Sequence, residues 1–224
     1  MFSEQIQKQT AGYAERFLSH KFLQEICQAK LPIKKFAFYI QQDNIFLNDM
    51  DYARRILASR QSEHANKLSK LIASIYRHEL RFRRDLITKQ LELKKEVESA
   101  PTTLAYTSYL IRLAYQGTFE EALAALIPCP RLYTMIGERY AKCPANKHPL
   151  YGKWLAIYSS KEMKEWTRQM LDMLDKVAEK NPLKGAMAKS YITACRYEIK
   201  FFDMAYNMEG WEAPNSARMH KYSL

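Results

Sequence analysis

The chain has 224 residues, 47% hydrophobic and 26% charged, with only six glycines and eight prolines, which sets aside a fold of many short strands and favours long helices around a sizeable core. The formal net charge is +11, compatible with a nucleic-acid partner, an anionic membrane surface or nothing beyond solubility. No apolar run approaches the roughly 20 residues of a membrane-crossing helix, and the four cysteines form no C-x-x-C pair, so a reduced, cytoplasmic protein with free thiols and no secretory leader is expected.

In chain order, Ser3 is placed to cap a first helix reaching about Ala29, with Tyr13, Phe17 and Ile26 on its apolar side. Leu31-Pro32 opens a second helix running to about Arg60. Phe36, Ile40, Asp43 and Leu47 fall at steps of 4, 3 and 4 along it, which is one helical face. Asp43 therefore sits inside an apolar stripe, where a carboxylate needs either a structural partner or a ligand. Residues 62 to 99 read as one or two further helices. Arg77, Arg81, Arg83 and Arg84 make the densest basic cluster there, interrupted by Glu79 and Asp85. With no helix-turn-helix or RNA-binding signature beside it, the cluster reads as a solvated face rather than a nucleic-acid surface.

Glu98-Ser99-Ala100-Pro101 marks a break, after which a helix carries Tyr106, Tyr109, Leu110 and Leu113 and ends at Gly117. Thr118-Phe119-Glu120-Glu121 has the pattern of a capping box opening the next helix. The apolar run 122–127 then stops at Pro128. Cys129 is held between two prolines, and a new amphipathic segment runs from Pro130 to about Lys142. With Pro130 at the first helical position, Cys129 falls at the N-cap, where free N–H groups and the helix dipole favour a thiolate; the plainer reading is a buried structural cysteine. Tyr133, four residues on, shares its face. After a loop from Pro144 to Pro149, Leu150, Trp154 and Tyr158 mark another stripe. Ser159-Ser160-Lys161-Glu162 reads as a second capping box, and its helix reaches about Lys180. Asn181-Pro182 is placed to cap the last long helix. On it Tyr191, Glu198, Phe202 and Ala205 share a face, so Glu198 is a second carboxylate in an aromatic stripe. Two such carboxylates and a thiol at a helix start point to an enclosed polar site, where burial raises a carboxyl pKa toward neutrality. The expected architecture is all-α, nine or ten helices in one domain over 1–224, with a tail that frays from about residue 212.

The Glu-x-x-His pairs of di-iron bundles are absent, as are phosphate-binding and dinucleotide glycine motifs and the G-x-S-x-G elbow. No metal and no cofactor are expected.

Several short segments carry a family resemblance. They are 38–43 with Gln42-Asp43, then Tyr106-Thr107-Ser108-Tyr109, then 124–129 ending in Pro128-Cys129. His148-Pro149-Leu150-Tyr151 with Trp154, then 158–162, then 197–206 around Glu198 and Phe202 complete the set. In order and rough spacing, from about residue 3 to Trp211, they resemble the TenA/thiaminase II family. The resemblance implies a haem-oxygenase-like helical fold without haem, assembled as a homotetramer. It implies a hydrolase of thiamine salvage that releases ammonia from an aminomethyl-pyrimidine to give the hydroxymethyl-pyrimidine, with thiamine itself as a further substrate. The implied partners are these small molecules, with no specific nucleic acid and no membrane.

Carried over by position, Cys129 is the nucleophile that adds to the pyrimidine ring, and Glu198 is the proton donor and acceptor. Asp43 binds the ring's amino group and a ring nitrogen. Tyr133 and Tyr158 complete the pocket, while Tyr106 and Phe201 line it. Two positions depart from the family pattern. Phe46 stands where a tyrosine usually supports the cysteine, and Pro130-Arg131 replace aromatic residues after it. An inward-pointing Arg131 would favour the thiolate in place of the missing hydroxyl. The alternative reading is a non-catalytic or regulatory relative that binds a pyrimidine or thiamine.

Overall fold

A computed structural model describes residues 1–60, 62–91, 93, 97–179 and 181–212, with backbone alone over 80–90. The all-α expectation holds: the described residues form eleven α-helices and one short 3-10 turn, with no strand.

The N-terminal third begins with three short helices rather than one long one: α1 (Phe2–Gln9), α2 (Ala11–Leu18) and α3 (Lys21–Cys27). Thr10 breaks the first pair. His20 caps the third by accepting from the Phe22 N–H, and Ala29 leaves the helical region with φ of 56°. Ser3 does not act as a cap. It lies in the first turn of α1, and its N–H and hydroxyl both bond the Asp175 carboxylate, 2.7 and 2.6 Å away. Two long helices follow, α4 (Ile33–Ala58) and α5 (Glu63–Gln90). The apolar stripe read on α4 is buried as a unit, Asp43 included. Of the basic cluster on α5, Arg77 is exposed, while the side chains of Arg81, Arg83 and Arg84 lie outside the described residues.

The second half is α6 (Pro101–Gln116), α7 (Phe119–Leu126), α8 (Pro128–Arg139), a 3-10 turn (Pro144–Lys147), α9 (Tyr151–Ser159), α10 (Lys161–Ala178) and α11 (Lys184–Asn207). The Thr118–Glu121 capping box is present in full, each side chain taking the other's backbone N–H. The second box is not. Ser160 itself is the N-cap and accepts from the Met163 N–H, which leaves Glu162 one residue too early to reciprocate. Asn181 makes a turn by accepting from the Leu183 N–H, and α11 begins after it with Leu183 as N-cap. Beyond α11, Glu209 accepts from the Thr102 N–H and the Trp211 indole donates to the Ser99 carbonyl, so the chain is held to the start of α6 as far as Trp211. The expected fraying of 213–224 lies outside the described residues.

α11 runs through the middle, packed on α2, α3, α4, α6, α7 and α8. Its Phe202 is fully buried and stacks on Phe17 and Phe22, with ring centroids 4.5 and 5.0 Å away. Removing such a ring costs about 3–5 kcal/mol in a closed core. A loop between α5 and α6 is pinned by buried Gln42, which donates to the Glu98 carbonyl and accepts from the Ala100 N–H, each at 2.9 Å. No helix among the described residues is long and apolar enough to cross a membrane.

Candidate active site

α8 sets the geometry. It begins at Pro128, two residues earlier than the sequence suggests, because Ile127 already has helical angles and serves as the shared residue between α7 and α8. Pro128 and Pro130 both fit the first turn, where no N–H is needed inside the helix. Cys129 is therefore the second residue of the helix rather than its cap, and Tyr133 follows one turn later on the same face.

Around this pair, side chains from eight helices, α4 to α11, line two adjoining pockets, the two lobes of one site. The first lobe is an aromatic slot lined by Phe46 of α4, Tyr106 of α6, and Glu198 and Phe201 of α11. The second is lined by Glu79 of α5, Tyr158 of α9 and a set of methionine and aliphatic side chains. Asp43, Cys129 and Tyr133 belong to both lobes and form the junction. The eight candidate residues from the sequence thus line these two adjoining pockets, Tyr158 in the second and Phe46, Tyr106, Glu198 and Phe201 in the first. Phe46 lies against Tyr106 and Phe201, with ring centroids 5.0 and 5.7 Å apart, and Tyr106 stacks on Tyr197 at 4.9 Å. Behind the slot the Tyr133 and Tyr39 hydroxyls meet at 3.0 Å, and Trp154 stands edge-on to Tyr133 and Tyr158.

Glu198 is 2% exposed. The Tyr106 hydroxyl donates to its Oε1 at 2.7 Å, and Cys129 lines the same pocket beside this carboxylate. Burial pushes its pKa up to about 8. The Tyr106 hydroxyl and the neighbouring thiol pull it down, and the nearby Asp43 and Glu79 carboxylates push it further up. Glu198 is therefore mostly protonated at neutral pH, and poised within about a unit of neutrality for proton transfer.

Cys129 departs from the sequence expectation. The residue keeps some exposed surface, yet its thiol faces the interior. Burial pushes the thiol pKa well above its usual value, and the negative charges of Glu198, Glu79 and Asp43 add to the shift. The helix start does not outweigh a dry site with three carboxyl groups. Nor does Arg131 compensate, since its guanidinium turns away and donates to Gln7 of α1 at 2.8 Å. The thiol is neutral until a ligand or a proton acceptor changes its surroundings.

Glu79 was not singled out as a site residue from the sequence. The signal was available: Leu68, Leu71, Ile72 and Ile75 form a buried stripe on α5, and Glu79 is its next position, as Asp43 is on α4. Among the described residues, no group of three His, Cys, Asp or Glu side chains is arranged to hold a metal ion.

Residues 5–208 match the model of the TENA/THI-4/PQQC family. The chain belongs to that family. The aminopyrimidine aminohydrolase of Halalkalibacterium halodurans is 34% identical, the match covering 90% of this chain and 91% of that one. The aminopyrimidine aminohydrolase of Helicobacter pylori is 32% identical over 84% of this chain and 91% of its own. Among solved structures, a TenA homologue from Pyrococcus furiosus superposes with a TM-score of 0.82 at 23% identity, covering 92% of this chain and all of that one, which establishes the TenA fold for this chain.

Proposed function

We propose that this TenA-family protein is an aminopyrimidine aminohydrolase of thiamine salvage. It converts an aminomethyl-pyrimidine to the hydroxymethyl-pyrimidine with release of ammonia, and it also accepts thiamine. The observation that carries the reading is Cys129 beside Glu198 in an aromatic slot that Asp43 also lines. Relatives named for this activity at 34% and 32% identity support it.

In this mechanism Asp43 pairs with the amino group and adjacent ring nitrogen of the pyrimidine, and the rings of Phe46, Tyr106 and Phe201 hold its faces. Glu198, in its ionised form, takes the thiol proton as sulfur adds to the ring. Addition ends the ring's aromaticity, and the displaced electron pair expels the amine from the methylene carbon, protonated by Glu198. Water then adds at that carbon and gives a proton back to Glu198. Departure of sulfur restores the aromatic ring and returns the proton to the thiol. Glu198 thus acts as base, acid, base and finally acid, a role suited to a pKa near 8. The Tyr106 hydroxyl fixes the carboxyl's orientation through Oε1.

One domain over the described residues, operating as a cytoplasmic homotetramer, completes the proposal. Incubation with the aminomethyl-pyrimidine and with thiamine, following ammonia and hydroxymethyl-pyrimidine, tests it. The wild type turns over, while Cys129→Ser and Glu198→Gln each lose about 100-fold or more in kcat, as expected when a nucleophile or its proton carrier is removed. A Cys129→Ser enzyme with wild-type rate refutes the nucleophile. A wild type that releases neither product refutes the activity.

A further inference from the structure

Arg131 takes no part in the catalytic site. It borders a separate cavity of about 180 Å³ between α1, α2, α8 and α11, and none of the residues around that cavity lines either lobe of the catalytic site. Ala14, Leu18, Leu132 and Met135 give it apolar walls. Two polar groups there lack partners. The Arg131 Nε donates to Gln7 at 2.8 Å, while the terminal nitrogens of its half-buried guanidinium bond no described residue. Tyr191 is 2% exposed, yet its hydroxyl makes no hydrogen bond with any described residue. Such a group is uncommon in a folded chain, because its lost hydration is not repaid. Burial holds this phenol in its protonated form, and the Arg131 charge reaches it. Glu15 is the one carboxylate bordering the cavity, and both its oxygens accept from Arg139, at 2.8 and 3.0 Å, so its charge is already matched. We propose that this cavity is a second ligand site, which takes a small aromatic monocarboxylate with its carboxylate on Arg131 and Tyr191 and its ring against the apolar walls. The site does not depend on the aminohydrolase reading above.

Three physical points support it. An apolar cavity of roughly 150 Å³ holds a benzene ring, so this one has room for a single six-membered ring. With Nε engaged by Gln7, the two terminal nitrogens of Arg131 offer the paired donors that a carboxylate accepts side by side. The Gln7 bond also fixes the plane of the guanidinium, which lowers the cost of ordering it on binding. One guanidinium and one neutral hydroxyl match one negative charge, whereas a phosphate dianion leaves a second charge against apolar walls.

Calorimetry on the full-length protein with benzoate, its neutral isostere benzamide and inorganic phosphate tests the assignment. Benzoate is expected to bind with a Kd of about 1 mM or tighter, and the other two at least ~10-fold more weakly. Arg131→Met weakens benzoate binding by ~10-fold or more, and Tyr191→Phe weakens it by a smaller factor. Ala14→Phe, which fills the cavity and leaves Arg131 in place, abolishes binding. A wild type that does not bind benzoate, or binds benzamide equally well, overturns the inference. So does an Arg131→Met protein with wild-type affinity, or displacement of benzoate by the hydroxymethyl-pyrimidine, which assigns it to the catalytic slot. The wild-type comparison of benzoate with benzamide decides the matter even where a variant fails to fold. Absence of pyrimidine turnover bears on the function proposed above and leaves this site standing.

Discussion

Glu198 couples the chemistry of the site to its stability. Its pKa is about 8 in the folded chain against an ordinary 4.5, so between those values the folded state holds a proton that the unfolded state has released. Stability therefore falls as pH rises from about 4.5 to 8 and levels off above, with an amplitude on the order of a few kcal/mol. Glu198→Gln removes this term. Urea unfolding is expected to show the variant gaining on the wild type from pH 5 to pH 8, and a constant gap would refute the shifted pKa. Phe46 acts on the partner thiol by what it lacks. Packed between Tyr106 and Phe201 and 3% exposed, it offers no donor to a thiol whose pKa burial has raised. Phe46→Tyr places a hydroxyl in the slot and is expected to favour the thiolate. Faster alkylation of Cys129 by iodoacetamide at pH 7, read by mass spectrometry, and a higher kcat would both follow.

At the scale of helices, the site depends on how closely α8 and α9 approach. Gly137 makes that contact: a Cβ there would strike the Tyr158 carbonyl and the Ser159 nitrogen. Ser159 closes the same contact by donating its hydroxyl to the Gly137 carbonyl at 3.2 Å. Gly137→Ala has to push α9 outward, and Tyr158 moves with it. A raised KM larger than any loss in kcat, with a lowered melting temperature, is the expected result. Periodicity made much of this level legible. α4, with Asp43 inside a buried stripe, and α11, with Glu198 inside another, follow from spacing alone. The misreadings have local causes. Thr10 and His20 divide the first segment through cap geometry that composition does not reveal. Ser160 displaces Ser159 as cap because either serine satisfies the pattern and α9 keeps Ser159 within it. The direction of the Cys129 shift was invisible for a deeper reason. A helix start is a local feature, whereas the carboxyls that overrule it come from α4, α5 and α11 and meet the thiol only in three dimensions.

For the whole molecule, the outer face of α4 and α6 presents Tyr52, Leu104 and Tyr115, each 45–60% exposed, with the two tyrosine hydroxyls 3.0 Å apart. Apolar area of this kind marks an interaction surface when it is contiguous, in keeping with the proposed tetramer. Light scattering at micromolar concentration is expected to give four times the chain mass of 26.4 kDa, and a monomer would refute it. The central position of α11 bears on how the protein is made. Synthesis runs from the N-terminus, so every helix that flanks α11 leaves the ribosome before it does. Until then Phe17, Phe22 and Tyr39 lack the Phe202 ring that covers them in the finished fold. A nascent chain stopped at 183 exposes that greasy channel and is expected to partition into the insoluble fraction on expression, whereas one stopped at 212 stays in solution. Quality control at the ribosome thus has a single late event to wait for, and a cell that starts this protein but does not finish it is left with a client for chaperones rather than a partial enzyme.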